Sequence, residues 1–367
     1  MESVAAFTDT YLPTINGVSY TVRAWRDRWI DRGGRMPIVY PRADGHRPTD
    51  GEHPVRSLPF PFYEGYRLAL PSIPDDLTQL DVIHAHTPFS LGIAAVRLAR
   101  RKGLPVVASY HTPTSEYTDY LAPTDRLSSL LQRTTEAYER WFFDRVDVVL
   151  APSEATRTHL SQTVGVDTPV EVLTNGVETE HFRPVDPAAF LARNGIDADR
   201  PLIGYTGRHG YEKCLEEIIE ATAPLDVTVL FGGDGPARDE LEAHARDSAV
   251  DARFLGFLDR EELPAFYSAL DVFAFPSPVE TQGLVALEAN ACGTPVVGVD
   301  SGALGETIDD GVTGYHFPPD DTEAFRAGLQ RALANQETLR EACLDRRESI
   351  SVARSIDRLE TVYADVQ

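Results

Sequence analysis

Arg208 and Lys213 stand five residues apart in GRHGYEKC, and Glu280 and Glu288 stand eight apart in SPVETQGLVALEANACGTPVV. The lysine is one of only two, with Lys102, among 34 basic residues. A sequence that has nearly abandoned lysine has a use for it beside an arginine. An arginine fork bridges two oxygens at once, and an ammonium supplies a compact, mobile charge. Together they suit a strongly anionic group such as a diphosphate. The plainer alternative is a surface lysine paired with Glu216 or Glu217 at helical spacing. The two glutamates are acceptors for hydroxyl groups, of the kind a ribose or a hexose presents.

For these side chains to act together, the elements carrying them must end at one place. PLIGYTG reads as a strand, RHGYEK as the loop at its carboxyl end, and CLEEIIEA as the helix that follows. Arg208 and Lys213 then flank a helix N-terminus, whose positive end adds to their charge. Glu280 falls in the loop after the strand DVFAFPS and Glu288 within the next helix. Gly283 and Leu284 open that helix, where bare N–H groups can meet an anion or a sugar hydroxyl. VLFGGDGPARDEL supplies a glycine turn with Gly233 and Gly235, but not the three-glycine spacing of a dinucleotide site.

The same strand–loop–helix unit recurs along the chain. SVAAFTD, MPIVYP, DVIHAH, PVVASYHT and DVVLAPS form one series; PLIGYTG, VTVLFGGDG, ARFLGF, DVFAFPS, PVVGVD and GYHF form a second. Strands apolar on both faces and alternating with helices predict parallel sheets covered on each side. A length of 367 residues is too long for one core, and the pattern resets at the Pro- and Asp-rich ETEHFRPVDPAAFLARNGIDADRP. The expected fold is α/β: two tandem Rossmann-like, doubly wound domains facing a central cleft. Their spans are 1–176 and 177–350, and a helix over 351–367 packs back toward the first domain. Ligands on such sheets sit beyond the carboxyl ends of the strands.

Net charge is −23. An acidic, lysine-poor chain reads as a halophile's protein and argues against nucleic acid as a partner. No apolar run reaches membrane-span length, the first residues lack a signal-peptide pattern, and the three cysteines fit no metal or disulfide spacing. The expected compartment is the cytoplasm. The charge is uneven: residues 1–150 hold 17 basic and 18 acidic side chains, residues 151–367 hold 17 and 39.

Arg208-x4-Lys213, Glu280-x7-Glu288 and the following GTPVV resemble, as a set, the GT-B-fold retaining glycosyltransferases of family 4, over nearly the whole chain. The resemblance implies that Arg208 and Lys213 stabilise a leaving diphosphate, Glu280 holds the hexose, and Glu288 binds the nucleotide ribose. It places Asn16 and Gly17 of PTINGVSYTV near the donor phosphates and His111 of SYHTPTSEYTDYL at the transferred sugar. Gly233 and Gly235 line the cleft, and Phe257 and Leu258 meet the nucleobase. His84 and His86 read as structural. NGVE carries Glu178 where many relatives have Asp. The only D-x-D, residues 197–199, reads as a solvated turn, so neither metal nor cofactor is expected, and the diphosphate is left to protein cations.

The resemblance implies a UDP- or GDP-hexose donor and same-face transfer, with no covalent nucleophile. A GT-B-fold nucleotide-sugar epimerase, or a non-catalytic sugar-nucleotide binder, would need the same donor residues and no acceptor. For the acceptor, three stretches put arginines among or beside apolar and aromatic residues: Arg23, Arg26, Arg28 and Arg32 around Trp25 and Trp29; four aromatics between Arg56 and Arg67; and Arg100, Arg101 and Lys102. Such stretches suit the headgroup layer of an anionic membrane. With the likeness of FTDTYLPTINGVS to lipid-glycosylating members, they lead to the expectation of a membrane lipid or polyprenyl phosphate acceptor. The enzyme would then dock peripherally on the inner face of the membrane. A soluble sugar or polysaccharide precursor is the alternative.

Overall fold

The computed structural model describes the chain apart from residues 15, 60–66, 72, 75–76, 112–124 and 198, and of 125–131 it describes the backbone alone. The chain divides into two compact units. The first comprises residues 1–175 and 352–367, the second residues 176–351.

In the first unit, seven strands form one parallel sheet. They are β1 (Val4–Phe7), β2 (Ile38–Pro41), β3 (Glu52–Val55), β6 (Val82–Ala85), β7 (Val106–Ser109), β8 (Val148–Ala151) and β9 (Val170–Val172). Between β3 and β6, β4 (Ser57–Pro59) and β5 (Arg67–Ala69) pair as a separate antiparallel ribbon. The sheet order β3-β2-β1-β6-β7-β8-β9 reverses direction between β1 and β6. The helices are α1 (Gly17–Asp31), α2 (Ser90–Lys102), α3 (Asp125–Phe143) and α4 (Glu154–Thr158), with a final helix at Val352–Asp365. The strands are apolar on both faces because both faces are covered. On β1, Ala5 and Phe7 point into the core shared with α2, while Val4 and Ala6 point into the core shared with α1 and the final helix. That last helix is integral to this unit: Tyr363 packs edge-on against Trp29 at 5.1 Å, and Asp357 pairs with Arg32 at 2.7 Å.

This packing corrects one expectation. Trp25 and Trp29 do not face a membrane, since both are buried, 1% and 0% exposed. A fully buried tryptophan removes about 200 Å² from water, worth about 5 kcal/mol of transfer free energy. At i,i+4 the two rings form the inner stripe of α1, and the core claims them.

The second unit is a six-stranded parallel sheet of β10 (Leu202–Thr206), β11 (Thr228–Gly232), β12 (Ala252–Gly256), β13 (Val272–Phe275), β14 (Val296–Val299) and β15 (Gly314–Phe317). Its order, β12-β11-β10-β13-β14-β15, reverses between β10 and β13. The helices are α5 (Ala188–Asn194), α6 (Glu216–Thr222), α7 (Arg238–Asp247), α8 (Leu263–Ala269), α9 (Leu284–Ala291), α10 (Leu304–Thr307), α11 (Thr322–Ala334) and α12 (Gln336–Asp345). One continuous apolar core runs through this unit. Both units are doubly wound Rossmann-like sheets.

Candidate active site

In the second unit, the residues singled out by their spacing gather at the carboxyl ends of the strands. Lys213 closes a short 3-10 turn, Tyr211–Lys213, after β10, and Glu280 lies in the loop after β13. These are the neighbouring strands at which the sheet order reverses, the place where doubly wound sheets bind ligands. Lys213 Nζ lies 2.8 Å from Glu280 Oε1, with only 16% and 18% of the two side chains exposed. The lysine therefore pairs with Glu280 across the switch point, and not with Glu216 or Glu217 one turn on. Arg208, in the same loop, is exposed.

Backbone bonds hold the neighbouring loops together. Gly207 N donates to Gly232 O at 3.1 Å, His209 N to Asp234 O at 2.9 Å, and Gly233 N to Gly256 O at 2.7 Å. Gly233 has φ +110°, and a Cβ there would meet Gly207 O at 2.0 Å. Gly235 is as closely confined, with a Cβ reaching His209 O at 2.4 Å. Beyond β12, Phe257 is exposed while Leu258 turns into the core.

Gly283, at φ +75°, caps α9 without a side chain, so Leu284 begins a helix with no acidic residue in its first turn. One turn further, Glu288 Oε2 accepts a hydrogen bond from buried Tyr267 at 2.8 Å. Burial pushes the Glu288 carboxyl up to about 7, although the Tyr267 bond and the nearby Arg260 charge pull it down. Arg260 itself pairs with Glu178, the residue of NGVE. The expectation of help from a helix dipole at Lys213 needs correction. Helix α6 starts three residues later, is only seven residues long, and already carries Glu216 and Glu217 in its first turn.

In the first unit, Asn16 caps α1. Its Oδ1 accepts from Ser19 N at 2.8 Å and its Nδ2 donates to Thr10 Oγ1 at 2.9 Å. Gly17 is the first residue of the helix. Asp9 had no signal in the sequence, yet it ties the loop after β1 to the start of α2. Its carboxylate accepts from Thr87 Oγ1 at 2.8 Å, Ser90 Oγ at 2.7 Å and Leu91 N at 3.2 Å. Burial raises its pKa against the pull of these bonds.

His111, just after β7, stands in a stack of three histidines. His84 and His86 lie with ring centroids 4.0 Å apart, and His86 and His111 follow at 5.4 Å. His86 Nδ1 is 3.1 Å from His111 Nε2. Trp25 borders all three rings at 5.8 to 6.3 Å. Burial lowers His84 to about 3 and His111 to about 4, and His86 also falls well below its usual value.

The rest of SYHTPTSEYTDYL after His111, the aromatics between residues 60 and 66, and the centre of the D-x-D fall outside the described residues. Among the described residues, no cluster of three or more His, Cys, Asp or Glu could hold a metal ion. No helix among them is long and apolar enough to cross a membrane.

Two doubly wound sheets, one with a lysine–carboxylate pair at its switch point, define an α/β fold that takes its ligands at the strand ends. Residues 15–181 match the Glycosyltransferase Family 4 model and residues 188–347 the model of Glycosyl transferases group 1. The alpha-monoglucosyldiacylglycerol synthase of Streptococcus pneumoniae is 30% identical over 85% of this chain and 74% of its own. A GDP-mannose-dependent alpha-mannosyltransferase of Mycolicibacterium smegmatis is 28% identical over 96% and 92%. The sucrose-phosphate synthase structure from Thermosynechococcus elongatus superposes with a TM-score of 0.81 at 22% identity, covering 100% and 99% of the two chains. The chain belongs to this GT-B family and is a glycosyltransferase.

Proposed function

We propose that the protein is a metal-independent, retaining hexosyltransferase that takes a hexose from a UDP- or GDP-sugar and delivers it to a membrane lipid. The Lys213–Glu280 pair carries the reading of the donor end. A half-buried ammonium held beside a carboxylate is placed to exchange that partner for a diphosphate as charge develops on the leaving group. Arg208 adds its fork to the same group, and the freed Glu280 turns to the hexose and its developing positive charge. The first N–H groups of α9, from Gly283 and Leu284 onward, face the phosphates. Glu288, aimed by Tyr267, accepts from the ribose. Phe257 covers the base, and His111 contacts the sugar. With no nucleophile in the set, the leaving phosphate itself removes the acceptor proton on the face it departs from. The mannosyltransferase relative supports retention, because GDP-mannose is an α-glycosyl diphosphate and that enzyme is named for an alpha product.

The lipid acceptor rests on the first unit. Leu58, Leu68 and Leu70 are 58%, 46% and 45% exposed on and beside the β4–β5 ribbon, with Arg56 and Arg67 at its ends. Beside it, Ile73, Leu77 and Leu98 line a cavity of about 530 Å³ with Arg101 and Lys102. Exposed leucines flanked by cations suit an anionic bilayer surface. The diacylglycerol-linked name of the Streptococcus relative points the same way. The test has two arms. Transfer from nucleotide hexoses to a lipid extract in excess EDTA should give a product with the donor's anomeric configuration by NMR. Flotation with anionic vesicles should bring the protein to the top of the gradient, and Arg56→Glu with Arg67→Glu should leave it at the bottom. Inversion, or activity restored only by Mn²⁺ or Mg²⁺, overturns the donor half. Transfer to soluble sugars alone overturns the acceptor half.

A further inference from the structure

We propose that His86 is a positioning residue that fixes the hydrogen on His111, so that the second ring nitrogen of His111 is an N–H donor and never a base. The inference deepens the reading of His111 as a sugar contact. His84 is locked at its far end, with Nδ1 2.6 Å from Tyr363 Oη and Nε2 2.8 Å from Ser109 Oγ. His86 is buried between His84 and His111, and among the described residues its ring has one hydrogen-bonding neighbour, His111 Nε2 at 3.1 Å from its Nδ1. Its other nitrogen, Nε2, is buried and meets no hydrogen-bond partner among the described residues.

A neutral imidazole has one donor and one acceptor, so the 3.1 Å contact contains one hydrogen and admits two arrangements. If His111 Nε2 donates, His86 must hold its own hydrogen on the buried, partnerless Nε2. An orphaned buried N–H is rare, and losing its partner costs more than leaving a lone pair unmatched. If His86 Nδ1 donates, what stays unmatched is a lone pair, the lesser loss. The second arrangement wins. His111 Nε2 accepts, and its single hydrogen sits on Nδ1. Protonating the pair would relieve the constraint, but burial lowers His111 to about 4 and holds His86 well below its usual value, so both rings are neutral at pH 7. Whatever oxygen His111 Nδ1 meets, a hexose hydroxyl or a phosphate, it meets as a donor.

A histidine side chain in water prefers its hydrogen on Nε2, so the assignment is diagnostic. Long-range ¹H–¹⁵N spectra of histidine-labelled protein at pH 7, with His111→Asn to identify the signals, should show His111 as the Nδ1–H form. An Nε2–H form in the wild type overturns the proposal, whatever the variants do. His86→Phe keeps a ring in the stack and removes the donor. It should return His111 to the Nε2–H form and lower kcat at least tenfold, with the donor KM within twofold. His86→Asn, whose amide nitrogen stands where Nδ1 was, should restore both the spectrum and most of the turnover. A His86→Phe protein with the wild-type His111 signals overturns the role of His86. A changed tautomer with unchanged kcat upholds the positioning and removes His111 from the sugar. Should His86→Phe fail to fold, the wild-type spectrum alone decides.

Discussion

At the scale of single residues, Lys213 and Glu280 are the sharpest case. Their types and spacing were legible, since a lone lysine beside an arginine and two glutamates eight apart are visible in a string of letters. That they touch was not, because 67 residues separate them and only the strand order brings them together. The contact changes what a substitution should do. Lys213→Met leaves a half-buried carboxylate without its cation, a loss of about 3–5 kcal/mol for a buried pair and less here, where both side chains keep some solvent. It should therefore lower the melting temperature as well as turnover, by about a hundredfold for a charge lost from a developing anion. Adding Glu280→Gln should recover the melting temperature and none of the activity. A double variant no more stable than the single one would show that the pair is not what holds the loops. Glu288 gives a pH test. Its carboxyl is raised to about 7, so the folded state favours the protonated form and stability is lost as pH rises from about 4.5 through 7. Glu288→Gln should raise the melting temperature at pH 8.5 and leave it unchanged near pH 5. If the ribose needs the carboxylate, nucleotide affinity should fall about tenfold from pH 8 to pH 6 by the same linkage. Calorimetric titration of UDP and GDP checks this. An equal fall in Glu288→Gln would assign the effect to the nucleotide's own phosphate. Tyr267 and Asp9 gave no warning in the sequence, because each acts through partners many residues away.

At the scale of elements, the strands were the most readable feature. Both faces of each central strand are covered, which leaves unbroken runs of valine, isoleucine and phenylalanine. Loops were harder. The stitching of the loops after β10, β11 and β12 by main-chain bonds depends on conformation, and only the glycines hinted at it. Gly233→Ala should cost at least about 2 kcal/mol, since it adds a backbone clash to an unfavourable φ. It should also abolish nucleotide binding. Gly311→Ala, at φ +74° but facing open space, should lose only about 1 kcal/mol and bind normally. Denaturant midpoints for the two variants are the comparison, and equal losses would show that the close approach of Gly233 to Gly207 is not what the site depends on. Helix α6 shows the limit of reading an element from its sequence. The helix exists, but the glutamates of its first turn already face the positive end that was expected to serve a diphosphate.

At the scale of the whole molecule, the charge imbalance sharpens when it is counted by unit. The first unit holds 20 basic and 24 acidic residues, the second 14 and 33. Crowding of acids is already visible around Glu217, which burial and its neighbours Glu216, Asp320 and Glu220 push up to about 7. Self-repulsion of this kind is relieved by salt, whose screening length is about 10 Å at 0.1 M and 3 Å at 1 M. The second unit should therefore be the salt-dependent one. Trp25, Trp29 and Trp141, the only tryptophans, all lie in the first unit, so their emission reports that unit while far-ultraviolet dichroism reports both. At 0.1 M KCl the dichroism should begin to melt before the emission changes, and at 2 M the two curves should converge. Coincident curves at every salt concentration would refute the unequal repulsion.

The helix Val352–Asp365 has a consequence for the order in which a ribosome releases the molecule. Residues 176–351 form an uninterrupted stretch, and that unit can close as soon as it has emerged. The first unit, most of it translated before that stretch, must wait with the hydrophobic side of α1 uncovered until Val352–Asp365 arrives. That helix carries Tyr363, the group that anchors His84 and, through it, the histidine stack. A unit whose larger part is translated before residues 176–351 is thus completed only after them. During that interval the Trp29 ring lacks the Tyr363 edge that packs on it in the finished unit.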